Sequence, residues 1–111
     1  MDLYEQITKL TAELDASIRE LAKNGEALAA AERDYKMELT KVALALRSED
    51  MAVTLINQVI YGLEPVAQKR FNRDVAEAVY KANQEHINIT KLKLRLLESQ
   101  LEREWGRAKN D

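Results

Sequence analysis

Residues 86–105 read HINITKLKLRLLESQLEREW, and two periodicities overlap in them. Ile87, Ile89, Leu92, Leu94 and Leu96 sit among mostly polar neighbours, a near-alternation that suits a half-buried strand. The second half, LLESQLEREW, is rich in strong helix formers. The length of the segment decides between them. From Val66 to Trp105 there is no Pro and no Gly, and strands typically span only 3 to 10 residues. The near-alternating residues therefore lie on a helix, and that helix carries apolar side chains on two sides.

At roughly 100° per residue, Phe71, Val75, Ala78, Ala82, Ile89, Leu92 and Leu96 share one face. This face suits packing against a first helix. Ile87, Leu94 and Leu101 form a second face seven residues apart, with Thr90 and Leu97 between them and Trp105 near its continuation. Such spacing is that of a coiled-coil seam, although over fewer than three heptads. A helix in a simple hairpin needs one apolar stripe. The second stripe, Ile87, Leu94, Leu97, Leu101 and Trp105, is thus expected to serve self-association. The competing readings are that the short helix or the tail folds back and covers it, or that its residues are singly exposed leucines of the ordinary kind.

Upstream, residues 2–48 read as one long helix. Asp2 and Glu5 form a D-x-x-E start signal. An apolar stripe follows through Leu3, Ile7, Leu10, Leu14, Ile18, Leu21, Gly25, Leu28, Tyr35, Leu39, Val42 and Leu46, almost always in steps of 3 or 4. Asn24-Gly25 is a common helix stop, yet the stripe keeps its phase across it, so a continuous or kinked helix is expected. Gly25 on the stripe would let another helix approach closely.

Residues 49–64, EDMAVTLINQVIYGLE, contain no basic residue. A short helix over 51–61 is expected, capped by Asp50 and ended by Gly62. A strand here would have no pairing partner in a helical chain. Pro65 suits the first turn of a last helix over 65–105. The fold class is all-α: one domain over 1–111, a long antiparallel helical hairpin with a short helix at its turn. Its open end is expected to dimerise as a four-helix bundle.

Bulk composition removes several function classes. The chain has 111 residues, 17 basic and 19 acidic, for a net charge of −2, too balanced for a dedicated polycation or a DNA mimic. It has no cysteine, which excludes disulfides and thiolate metal sites. The first 20 residues are charged throughout, so no export signal is expected. No run of 18 apolar residues exists to span a membrane. His86 is the only histidine, with neither a nucleophile nor a metal-ligand pattern beside it. Residue 83 is Asn, so a Glu-x-x-His pair is missing. Neither an enzyme nor a bound cofactor or metal is expected.

Two surfaces remain as binding candidates besides the seam. The 51–63 tip, MAVTLINQVIYGL, is too apolar for a solvated turn, and Met51, Val53, Leu55, Ile56, Ile60 and Tyr61 would contact a partner there unless they pack inward. Basic residues also cluster at Lys69, Arg70 and Arg73, and again at Lys91, Lys93 and Arg95. From Pro65 onward there are ten basic and seven acidic residues, against seven and twelve before it. Lys69, Arg70, Arg73, Lys91 and Arg95 could form a phosphate-binding stripe. With one Phe and one Trp in the chain there is little for bases to stack on, and salt pairing between helices is the plainer reading.

The stretch AEAVYKANQEHINITKLKLRLLESQLEREWG resembles the C-terminal part of small proteins encoded by phages and prophages of Gram-positive bacteria. KNGEALAAAERDYKMELTKVALALR and the Val53-Thr54-Leu55-Ile56 segment before Gly62 are similar to them as well. No catalytic motif anchors this resemblance, and it brings no activity with it. It implies the cytoplasm of an infected bacterium and a protein that serves another phage or host protein. An inhibitor of host defence and an accessory or assembly factor both fit. The alternative is a nucleic-acid-binding accessory protein in phage recombination or replication.

Overall fold

The computed structural model describes residues 2–110. In order along the chain come helix α1 (Leu3–Ser48), short helix α2 (Val53–Val59), a 3₁₀ turn (Ile60–Gly62) and helix α3 (Glu64–Asn110), with no strand among the described residues. The all-helical reading and the two long helices are as the sequence predicts.

The start of α1 follows from its first residues. Glu5 N–H donates to Asp2 Oδ1 at 2.8 Å, and Gln6 N–H donates to the Asp2 carbonyl at 3.0 Å. Asp2 therefore satisfies donors that the first turn leaves without helical acceptors. The helix passes Asn24-Gly25 without interruption. Gly25 has no left-handed backbone, so the stop signal in that dipeptide goes unused.

The other end of α1 differs from expectation at Asp50. Met51 N–H donates to the Leu46 carbonyl at 3.2 Å, and Asp50 N–H to the Arg47 carbonyl at 3.1 Å. This 6→1 and 5→2 pair is a Schellman cap with Asp50 at the left-handed position, φ 65°. Asp50 thus ends α1 and does not cap α2. The residue before α2 is Ala52, which offers no side-chain cap. Arg47 reinforces the stop by donating from Nη1 to the Met51 carbonyl at 3.1 Å. The second apolar helix is accordingly shorter than 51–61: α2 proper is Val53–Val59, tightening into the 3₁₀ turn at Ile60. Leu63 is extended, and Pro65 lies in the first turn of α3, where its missing N–H costs nothing.

The described residues form two compact units, one of 1–23 with 81–111 and one of 24–80; α1 and α3 each run through both. In the 24–80 unit, Tyr35, Ile56, Ile60 and Val66 are buried together, with Leu39, Val42, Ala43, Leu46 and Met51 packed around them. Gly25 faces Tyr80 and Tyr35 faces Arg73, so α1 and α3 run antiparallel in this unit. In the other unit Ile87, Thr90 and Leu94 are the buried residues of α3. Asn83 Nδ2 donates to the Ser17 carbonyl at 3.1 Å, tying α3 to α1.

Candidate functional site: the outer face of the last helix

Val66 sets the rotation of α3 in the 24–80 unit. It is fully buried beneath α2, against Ile56, Ile60 and Tyr35. Counting from it in alternating steps of 3 and 4 gives Lys69, Arg73, Ala76, Tyr80, Asn83, Ile87, Thr90, Leu94 and Leu97. Each of these is buried or half-buried. The inner side of α3 therefore has heptad spacing in each unit, through Val66, Lys69, Arg73, Ala76 and Tyr80 in one and through Asn83, Ile87, Thr90, Leu94 and Leu97 in the other.

This reverses the expected assignment of faces. Ile87 and Leu94 are 6% and 8% exposed and pack within the chain, and Leu97 is half-buried. They are core positions within their own unit and are not open for self-association; neither the short helix nor the tail is what covers them. Of the five residues expected there, only Leu101 and Trp105 are exposed, and with Glu102 they line a shallow depression on α3. Thr90 is polar but satisfied, its Oγ1 donating to the His86 carbonyl at 2.8 Å. His86 itself is exposed.

The face expected to be core lies outside. Phe71, Val75, Val79, Ile89, Leu92 and Leu96 are between 43% and 62% exposed. Ala78 and Ala82 are exposed as well. Phe71, Val75 and Ala78 in the 24–80 unit, and Ala82, Glu85, Ile89, Leu92 and Leu96 in the other, recur in the same alternation of 4 and 3, so in each unit an exposed row lies roughly opposite the buried residues of α3. Glu85 is its one charged member. On α1 the exposed large apolar residues, Tyr4, Ile18, Met37 and Leu44, are scattered and make no comparable stripe.

The tip divides in two. Ile56 and Ile60 are core, and Met51 packs against that core, so these three are not surface contacts. Val53, Leu55 and Tyr61 are exposed on the opposite side. A 51–61 tip with three apolar residues inside and three outside explains why its composition looked too apolar for a solvated turn.

The basic residues are divided between the two units, with Lys69, Arg70 and Arg73 in one and Lys91 and Arg95 in the other. Arg73 lies over the Tyr35 ring, 4.8 Å from its centroid, and binds Asp74 through Nη2 at 2.8 Å and Nε at 3.1 Å. The bond to Asp74 raises the guanidinium pKa further. Arg70 lies over the Tyr61 ring at 5.6 Å. Lys69 and Arg73 thus belong to the inner seam, where their long stems cover apolar surface, and Arg73 already has an acidic partner. Among the described residues no three His, Asp or Glu side chains cluster as a metal site. No helix there is long and apolar enough to cross a membrane.

The feature that stands out chemically is thus an apolar, heptad-spaced surface without nucleophile or ligand set, suited to a helix or another apolar protein face. No protein family, curated relative or solved structure matches this chain, so the outer face of α3 is read on its own chemistry.

Proposed function

We propose that this chain is a non-enzymatic protein-interaction module, binding through the outer apolar face of α3 and through the exposed Val53, Leu55 and Tyr61 at the tip. The observation that carries the reading is the exposed row Ile89, Leu92 and Leu96 in the unit of 1–23 with 81–111. All three are large apolar side chains, 43% to 60% exposed. Isolated exposed leucines need no explanation. A heptad-spaced row on a helix whose opposite side is already packed does. In the setting that the phage resemblance implies, the partner is a host or phage protein, and the chain acts by occupying or organising it. Inhibition of a defence protein and assistance in assembly both work this way.

The test is site-specific photo-crosslinking in bacterial cells that express the chain. A photoreactive residue replaces Leu92 on the outer face, Leu55 at the tip, or Glu98 away from both. Discrete protein adducts from positions 92 and 55, and none from 98, are expected. Equal labelling from all three positions, or none from 92 and 55, would overturn the reading.

A further inference from the structure

We infer that the outer row of α3 in the unit of 1–23 with 81–111 takes an acidic, amphipathic helical segment of a partner protein. The inference rests on reading that row as a protein-binding surface and names the chemistry of what it binds.

The row sets the shape of its occupant. Ile89, Leu92 and Leu96 are exposed and stand at i, i+3 and i+7, the spacing with which one helix anchors its apolar face against another. The opposite side of α3 is already occupied in this unit, where Ile87, Thr90 and Leu94 are buried.

The charges around the row set the charge of its occupant. At about 100° per residue, Lys93 falls on one flank of the row and Arg95 on the other, and Arg103 and Arg107 continue its line beyond Leu96. All four are exposed, and none is in an ion pair among the described residues. Their own helix compensates them poorly. The residues three and four away from Lys93, and from Arg103, include no acid. Arg103 and Arg107 stand four apart, a like-charge pair that by itself weakens a helix. The nearby acids belong elsewhere. Glu102 lines the depression with Leu101 and Trp105 on another side of α3, and Glu98 turns away from the row at the same repeat. Glu104, at the margin, accepts from Gln100 Nε2 at 3.4 Å. Glu85, at the other end of the row from Arg103, shares a depression with Lys81 and Lys91.

Apolar anchors framed by uncompensated cations match an apolar helix face framed by Asp and Glu. Such complementarity steers encounter and rejects basic partners. Nucleic acid suits the row less, because the three aliphatic side chains among the cations give bases nothing to stack on. A lipid surface also suits it less. A helix in the bilayer interface buries a long apolar face, whereas this row spans about two turns and has Glu85 and Arg103 in line at its ends.

The experiment uses the full chain and three labelled synthetic peptides, read by fluorescence anisotropy. One is a helical peptide with a leucine face bordered by Glu. The second replaces every Glu by Lys, and the third scrambles the order of the first. The Glu peptide should bind about tenfold or more tighter than either control and weaken as salt is raised. Arg95→Gln/Arg103→Gln should weaken it about threefold to tenfold. Leu92→Gln/Leu96→Gln should weaken it more, as loss of apolar anchors does. Lys36→Gln/Lys41→Gln, the same charge change in the other unit, should leave it unchanged. Circular dichroism should show equal helicity in all of these chains. Equal binding of the Glu and Lys peptides, lost in the Leu92→Gln/Leu96→Gln chain, overturns the acidic partner and leaves the protein-binding reading standing. Binding of no peptide also overturns the inference, and the parent reading falls with it only where photo-crosslinking from position 92 yields no discrete adduct. A mass of twice 12.7 kDa that Leu92→Gln/Leu96→Gln halves puts a second copy on the row and overturns the inference. Phosphatidylglycerol vesicles that bind through Leu92 and Leu96 while the Glu peptide does not overturn both readings.

Discussion

The ring of Tyr80 lies across the backbone of Gly25, so that a Cβ added at residue 25 would stand 3.3 Å from Tyr80 Cε2. The glycine that looked like a helix stop is instead the place where α3 comes close to α1. Two effects oppose each other in Gly25→Ala. Alanine gains about 1 kcal/mol of helix propensity, and the new methyl presses on a half-buried ring. The gain is therefore expected to be partial in the native chain. In a Tyr80→Ala background the full amount of about 1 kcal/mol should return. Urea unfolding of the four chains measures the coupling, and equal gains in both backgrounds would show that the ring does not sense residue 25. Gly25→Leu, which cannot fit beneath the ring, is expected to destabilise.

Asp50 holds a left-handed backbone at the Schellman position that ends α1. L-residues pay for this conformation, Asp less than most, and Gly essentially nothing. Asp50→Gly is expected to be neutral or to stabilise by up to about 1 kcal/mol, with part of the relief offset by a more flexible unfolded chain. Asp50→Val should cost more than 1 kcal/mol, on the order set for strained backbone positions. Had Asp50 been the cap of α2, both substitutions would destabilise and Asp50→Ser would be the tolerated one. Thermal unfolding of the three variants separates these two orders.

The two sides of the tip should respond differently to truncation. Ile56 and Ile60 are 6% and 3% exposed within the Tyr35–Val66 core. Cutting either to alanine is expected to cost about 2–5 kcal/mol. Leu55→Ala and Val53→Ala remove surface that is already about half wet and should cost about 0.5 kcal/mol or less. Chemical denaturation reads both, and a large loss at Leu55 would place that side in the core as well.

The long helices were legible because their apolar stripes keep phase for dozens of residues, and few Pro or Gly residues interrupt them. The start at Asp2 and the placement of Pro65 were legible for local reasons, since capping and a fixed φ act within one turn. The rotation of α3 was not. Its outer face is the more apolar one, with Phe71, Val75, Ile89, Leu92 and Leu96. Its inner seam carries Lys69, Arg73, Asn83 and Thr90. Hydrophobic content alone therefore points to the wrong side. What fixes the rotation in the 24–80 unit is Val66, locked under α2 by a contact that no window of α3 contains. A signal was nevertheless present. The steps from Val66 to Leu97 alternate 3 and 4 without a break, once polar and small residues are admitted to the seam. Asp50 was misread for a related reason, because capping Asp residues and left-handed Asp residues look the same in a sequence.

Thr90 and Leu94 on one side of α3, and Leu92 and Leu96 on the other, give the most direct check of that rotation. Leu94 is 8% exposed and Thr90 is 2% exposed. Leu94→Ala should cost about 2–5 kcal/mol as a core truncation. Thr90→Val replaces a hydroxyl by a methyl of similar shape at a buried site. The lost hydrogen bond is to the His86 carbonyl, which the helix already engages through its backbone, so no acceptor is left bare. Thr90→Val is thus expected to be neutral or stabilising by up to about 1 kcal/mol. Leu92→Ala and Leu96→Ala should leave the monomer's stability within about 1 kcal/mol, as exposed changes do. If Leu92→Ala instead unfolds the chain while Leu94→Ala is tolerated, α3 is turned the other way and the outer face is core.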